Sequence, residues 1–449
     1  MSKLSKSFRS IKPFRAVVLG DFFVDTYTSG HVKRISPEAP VQVLEVIKQE
    51  SKPGGAGNAA KNMATMDAEV CLIGRIGDDL AGQQLHAQLN EGRLSAVGLM
   101  IQPGYATPVK NRLIAGGQQL LRVDCETTPP LDPLLEPLVI EQLQIQIPKA
   151  GVVAVSDYGK GFLTQSVLMA AIEIAKKSSV PIIVDPKGID FTKYRGATIL
   201  KPNLSEAYAA AKLPTTAPLD EVASVLLHLT QVEKLLITRS EAGISLYESG
   251  GKRTDFPVRS KEVKDVTGAG DTVLATLSLS LANGLDMGNA TQLANIAAGI
   301  AIERFGCVQV TLPEIARRLL EYDADSKIFD ENHTHALREA LKDQSYTLLI
   351  LDQVQEMTND VLRFIRQLSQ NNSTELLVYI RGDHPSAEFV YLLSLLEEVD
   401  FIVLKHEEFE DFHPQDIFAV QQGRLLAVEK GKGLLEELLC NTVSNGQFR

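Results

Sequence analysis

Over roughly its first 320 residues the chain repeats one pattern: a short apolar run, a glycine or acid at its end, then a longer stretch with apolar residues at helical spacing. Residues 16–20, 70–74, 151–156, 182–185, 198–200 and 234–238 read as buried strands. Residues 165–177, 206–211 and 219–229 read as helices between them. Strands alternating with helices predict an α/β fold, a mostly parallel sheet with helices on both faces. Residues 31–46 alternate more loosely and carry prolines at 37 and 40, which suits an edge strand or ribbon. Residues 107–114 and 119–123 read as a hairpin joined through Gly116-Gly117, and 245–247 with 253–258 as another. The rhythm breaks after about residue 321, and residues 323–335 are acidic and polar, as in a linker. It resumes at 346–352, 361–368, 376–380, 389–396 and 401–404, which predicts a second, smaller α/β domain. The expected division is 1–325, a linker at 326–340, and 341–449, with residues 1–10 a frayed polar tail.

One stretch stands out for its chemistry. Lys264-Asp265-Val266-Thr267-Gly268-Ala269-Gly270-Asp271-Thr272 leads into the small and apolar run 273–281, which reads as a buried helix. Its glycines then sit at a helix N-terminus, where unpaired N–H groups and the helix dipole favour an anion and a missing side chain lets a phosphate approach. Asp271, in the same turn, could take a proton from a hydroxyl attacking that phosphate, which suits phosphoryl transfer. A plain loop–helix junction with Asp271 as dipole partner would leave the same pattern.

Other candidates fall just past strand ends, where open α/β sheets bind ligands: Asp21 and Asp25 after the first run, then Asp157, Asp185 and Lys187. Gly54-Gly55-Ala56-Gly57-Asn58-Ala59-Ala60 opens a further helix. Asn203 with Glu206 reads as a capping pair, and Asp78-Asp79 as first-turn helix acids, with metal ligation the alternative. Asn295 is polar within an apolar helix and needs a partner, either a nucleotide base or a backbone carbonyl. Lys110, Arg112, Arg122 and Arg34 put positive charge near the ribbon. Arginine grips phosphate oxygens in pairs; solvated strand-face charge is the plainer account.

Thr267-Gly268-Ala269-Gly270-Asp271 resembles the signature of the ribokinase-like (PfkB) sugar kinases, and residues 54–60 resemble that family's second signature. Arg34-Ile-Ser-Pro-Glu-Ala-Pro-Val41, Gln118-Gln-Leu-Leu-Arg122, Ser156-Asp-Tyr-Gly-Lys-Gly161 and Asp185-Pro-Lys-Gly188 resemble, more narrowly, the heptose 7-phosphate kinase half of the bifunctional ADP-heptose synthesis enzymes. The resemblance spans roughly residues 12–320. It implies a ribokinase-like three-layer sandwich with a small β-lid, using ATP and Mg2+ on a sugar phosphate. By that resemblance Asp271 is the general base, and Gly268, Ala269 and Gly270 bind the transferring phosphate through their N–H groups. Asn203 and Glu206 organise magnesium through water, while Thr238, Gly243, Asn295 and Lys187 border the nucleotide. Asp25, Asn58 and Gly55 meet the sugar, and Lys110, Arg112 and Arg34 hold its existing phosphate.

The second domain resembles, in position and pattern, the nucleotidyltransferase half of those enzymes, a Rossmann-like α/β module. That half needs a His-x-Gly-His pair after its first strand, and Gln353-Val-Gln-Glu-Met-Thr-Asn359 offers neither histidine nor glycine. His384, His406 and His413 are scattered, and His333 and His335 fall in the expected linker, where solvated side chains account for them without a metal. A degenerate module with a structural, oligomerising or regulatory part is expected. The rivals are a fully bifunctional enzyme, a kinase for another sugar phosphate, and a non-catalytic sugar-phosphate sensor.

Composition narrows the setting. A net charge of −11 argues against nucleic acid as main ligand, so an anionic substrate needs a local basic cluster. Cys71, Cys125, Cys307 and Cys440 form no paired spacing, which suits a reducing compartment and no zinc site. No apolar run reaches membrane-spanning length. A cytoplasmic protein that meets no membrane, assembled as a homodimer, is expected.

Overall fold

The computed structural model describes residues 3–8, 11–248, 251–258, 263–323, 327–329, 334–342, 344–352, 354, 356–371, 374–381, 386–405, 416–421 and 424–427. The chain forms two compact units, Ile11–Thr311 and a second made of Met1–Ser10 with Leu312–Arg449.

The strands of the larger unit are β1 (Phe14–Gly20), β2 (Phe22–Ile35), β3 (Gln42–Gly55), β4 (Ala68–Gly77), β5 (Leu94–Gln102), β6 (Val109–Ala115), β7 (Gln118–Cys125), β8 (Val152–Ser156), β9 (Ile182–Asp185), β10 (Ile199–Leu200), β11 (Lys234–Thr238), β12 (Ile244–Glu248) and β13 (Arg253–Phe256). Nine of them form one sheet in the order β13-β12-β11-β10-β9-β8-β1-β4-β5. Pairing is parallel except at β11–β12 and β12–β13. Successive side chains on a strand point to opposite faces. Val17, Leu19, Val153 and Val155 therefore share one core with the helices Glu136–Gln146, Gln165–Lys177 and Leu219–Thr230. On the other face lie the helices Ala56–Thr65, Ala269–Ala282 and Met287–Ile302. Both faces are covered, which is why the central strands are apolar throughout.

The helix Ala269–Ala282 lies in that second layer with Thr272, Thr276, Ser278 and Ser280 fully buried. Each hydroxyl donates to the carbonyl four residues back, at 2.8 to 3.2 Å, so none is left without a partner. Strand order turns back at β8 and β1, and at such a point the loops beyond the strand ends part to form a crevice. A separate four-stranded sheet, β3-β2-β6-β7, projects as a lid. The first half of β2 is buried, whereas β7 is exposed along its whole length.

The second unit carries β14 (Ile328–Phe329), β15 (Tyr346–Asp352), β16 (Glu375–Arg381), β17 (Phe401–Lys405), β18 (Asp416–Gln421) and β19 (Arg424–Ala427) in the order β14-β17-β16-β15-β18-β19. Order reverses beside β15, the strand after which the missing histidine pair would stand. His333, His384, His406, His413 and Cys440 lie outside the described residues.

Two expectations change. Residues 3–8 are a helix with Leu4 and Phe8 buried, one turn apart, and not a frayed tail. The boundary expected at 325 falls between Thr311 and Leu312, and the region read as a linker holds β14 and the helix Thr334–Leu341. Ala336, Leu337, Ala340 and Leu341 form a buried stripe that the polar flank obscured.

Candidate active site

The geometry is set by the N-terminus of Ala269–Ala282. Gly268 caps this helix in the left-handed region at φ 80°, and a Cβ there would stand 2.9 Å from the Asn58 amide nitrogen. A side chain would meet both strain and a neighbour, so glycine is required. Ala269 N–H reaches the Val266 carbonyl at 3.3 Å, and Gly270 lies exposed on the cavity wall. First-turn N–H groups have no partner within a helix, which leaves this end suited to an anion.

Asp271 is buried, and both of its oxygens are held. Asn58 donates to Oδ2 at 2.8 Å and the Tyr158 hydroxyl donates to Oδ1 at 3.0 Å. Burial pushes the carboxyl up to about 7, against the Asn58 hydrogen bond and with the charge of Asp185 adding to the rise. A carboxylate that titrates near neutrality is matched to taking a proton from a hydroxyl. Beside it, Asp185 pairs with the buried Lys201 at 2.9 Å, and burial raises its carboxyl too. A Cβ on Gly270 would stand 3.7 Å from both Asp185 Oδ2 and Lys201 Nζ, so this pair borders the first turn of the helix.

Asn203 and Glu206 form a complete capping box: Glu206 N–H donates to Asn203 Oδ1 at 2.9 Å and Asn203 N–H to Glu206 Oε2 at 3.1 Å. Lys187 Nζ donates to Glu206 Oε1 at 2.7 Å. All three nevertheless border one cavity of about 610 Å³, together with Thr238, Gly243 and Asn295. Val263, Val266, Val273 and Ile302 make part of its wall apolar, while the end near Lys201 is charged. Gly243 is held at φ 83°, where a Cβ would overlap the Phe256 carbonyl oxygen. Asn295 donates to the carbonyls of Pro257 at 2.8 Å and Phe256 at 3.3 Å, so backbone satisfies its amide nitrogen.

On the lid side, Asp25 is buried and accepts from Arg112 at 2.5 Å. Cys307 donates to its other oxygen at 3.7 Å, and burial pushes that thiol up to about 12. Gly55 sits at φ 56°, with Phe23 and the Asp21 carbonyl where a side chain would go. Arg112, expected to take a phosphate, is thus occupied with Asp25. Asn58, expected at the sugar, is fully buried and directed at Asp271. Arg34 is exposed nine residues along β2 from Asp25, roughly 30 Å at strand spacing. Arg122 pairs with Asp124 on exposed β7 at 2.8 Å. Lys110 stays in the cluster, 4.2 Å from the Phe23 ring centroid and 5.3 Å from that of Tyr158. It makes no ion pair among the described residues, and burial and the charge of Lys160 lower its pKa. Lys160, largely buried, pairs with Glu126 at 2.6 Å.

Sequence reasoning gave no role to Tyr158, Lys160 or Lys201. The first two lie inside the 156–161 motif, and Lys201 directly precedes Pro202-Asn203. Asp79 accepts from Gly82 N–H at 2.7 Å and caps its helix, as its place in the sequence suggested.

A family model described as pfkB family carbohydrate kinase matches residues 15–315. "Bifunctional protein HldE" of Trichlorobacter lovleyi is 42% identical over 325 residues, 72% of this chain and 66% of that protein's length. The protein of the same name from Geotalea uraniireducens is 35% identical over 424 residues, 90% of this chain and 86% of that one. Among solved structures, Arabidopsis thaliana ribokinase complexed with ribose and ATP superimposes with a TM-score of 0.55 at 19% identity, over 69% of this chain and 99% of that one. At that identity the likeness speaks for the fold. A family match over most of the larger unit agrees with a buried carboxylate, a helix N-terminus and a cavity in one crevice, and the chain belongs to the pfkB family of carbohydrate kinases.

Proposed function

We propose that the larger unit transfers the terminal phosphoryl group of ATP to the anomeric hydroxyl of D-glycero-D-manno-heptose 7-phosphate, giving the 1,7-bisphosphate and ADP. The observation that carries this reading is Asp271, a buried carboxylate titrating near 7 in the first turn of a helix whose end suits a phosphate. Asp271 takes the hydroxyl proton as the sugar oxygen bonds to phosphorus and the bond from phosphorus to the ADP oxygen breaks. The Gly270 end of the helix and Lys201 face the charge that develops on the transferring group. Asp25, oriented by Arg112, accepts hydrogen bonds from sugar hydroxyls. Thr238, Gly243 and Asn295 border the adenine.

The substrate's own phosphate falls to Lys110 and Lys160. Two partly buried ammonium groups that repel each other gain from an anion between them, and the depressed Lys110 supports this choice over Arg34. Motif resemblance to heptose 7-phosphate kinases supports the sugar, as does identity to proteins named bifunctional.

For magnesium, no group of three or more His, Cys, Asp or Glu among the described residues could ligate a metal directly. Asn203 and Glu206 fit an ion carried mainly by nucleotide phosphates and met through water, the usual habit of magnesium. When bound, that ion neutralises charge across the phosphates.

The bifunctional reading lacks its histidine pair, so the second unit is proposed as a non-transferring module. Exposed apolar residues on the lid, among them Ile35, Val46, Ile47 and Leu121, support a homodimer. Asp271→Asn tests the base directly. Turnover should fall by about two to four orders of magnitude with ATP binding kept, and turnover near wild type would remove Asp271 from the role.

A further inference from the structure

Two buried side chains outside the transfer step, an acid and an arginine, hold one loop. The loop, residues 157–161, joins β8 to the helix Gln165–Lys177. Asp21, only 3% exposed, accepts from the backbone N–H groups of Tyr158 at 2.9 Å and Lys160 at 3.0 Å. Arg75, only 2% exposed, donates to the carbonyls of Lys160 and Pro129 at 2.5 Å and to Pro130 at 3.0 Å. The guanidinium lies 4.0 Å from the Tyr105 ring centroid, and Gln102 takes a further hydrogen bond at 3.0 Å. Gly161, at φ 87°, permits the approach, since a Cβ there would overlap the Pro129 carbonyl oxygen. Burying an acid and an arginine is costly, and strong hydrogen bonds to backbone are what retain them. A loop that only connected two elements would not require this. What it carries is Tyr158, whose ring packs edge-on against Phe23 at 5.0 Å and whose hydroxyl meets Asp271.

We propose that Tyr158 is a positioning residue for phosphoryl transfer, fixing the Asp271 carboxylate, and that Asp21 and Arg75 act through it by holding its loop. The inference rests on the reading of Asp271 as the base. With Asn58 on one oxygen and Tyr158 on the other, the carboxylate cannot turn, and each oxygen keeps a lone pair for the acceptor hydroxyl. A hydroxyl donor favours the ionised carboxylate, and so opposes the rise caused by burial. The other charged or titratable groups acting on Asp271 are Asp185, Lys201 and Cys307, and none of them donates to its oxygens.

The test is the pH dependence of kcat in the full chain. Tyr158→Phe keeps the ring and removes only the hydroxyl. It should lower kcat by about tenfold to a hundredfold, leave KM for ATP in place, and move the acid limb up by about one pH unit. Arg75→Lys keeps the charge and loses the fork, so it should move the same limb the same way. Asp21→Asn gives the same readout if Arg75→Lys does not fold. Because Arg75 acts through Tyr158, the double variant should shift no further than Tyr158→Phe alone. A Tyr158→Phe enzyme with wild-type kcat and an unmoved limb overturns the proposal. An Arg75→Lys enzyme that loses thermal stability with its limb unmoved, or whose shift adds fully to that of Tyr158→Phe, overturns the part given to the clamp. Turnover that survives in Asp271→Asn defeats the base reading itself. No turnover there, with Tyr158→Phe unaffected, defeats only the positioning role.

Discussion

Asp271 accepts a proton only when ionised, and burial holds its carboxyl at about 7 in the folded chain. A raised carboxyl is protonated further up the pH scale, so activity that uses Asp271 as its base should be lost on the acid side. Measured as kcat/KM, turnover should fall by about tenfold for each unit below pH 7 and level off above it. A profile flat down to pH 5.5 would contradict the assignment. The motif that carries this residue is readable in the sequence because glycines and acid lie within four positions. Its surroundings were less accessible. Asn58 reaches Asp271 across 213 residues, and Arg112 reaches Asp25 across 87. Spacing gives each of these side chains a plausible sugar or phosphate to meet, whereas packing gives each a carboxylate. That leaves Lys110 and Lys160 as the proposed partners of the sugar's phosphate, and Lys160 gives no signal beyond its place in the 156–161 motif.

Elements that read as continuous apolar runs or at clear helical spacing are where the sequence was most informative. The strands Ile182–Asp185 and Lys234–Thr238 and the helix Gln165–Lys177 fall where the pattern predicts them. Short elements were harder to read. The helix Lys3–Phe8 has only two apolar residues, Leu4 and Phe8, and a six-residue window shows no period. β18 and β19, six and four residues long, close the second sheet, and the run Ile417-Phe418-Ala419-Val420 in β18 was not among the strands read from the sequence. The buried Phe8 gives this helix a structural part that a tail would not have. Phe8→Ala should destabilise the second unit by about 3–5 kcal/mol, read by calorimetry, while kinase turnover at 25 °C is kept. An unchanged unfolding profile would return the helix to a dispensable end.

At the scale of the whole chain there are two α/β units, and only the larger carries a described constellation suited to transfer chemistry. The second keeps an open sheet whose strand order turns back beside β15, yet nothing in the sequence after β15 replaces the absent histidine pair. Purified protein given ATP and heptose 1-phosphate should accordingly release no pyrophosphate. No helix among the described residues is long and apolar enough to cross a membrane. The central claim concerns the acceptor, and coupled ADP release against a panel of sugars and sugar phosphates with magnesium tests it most directly. Turnover confined to D-glycero-D-manno-heptose 7-phosphate is the predicted result. Turnover on a different sugar, or none on any while the heptose phosphate still binds, would contradict it.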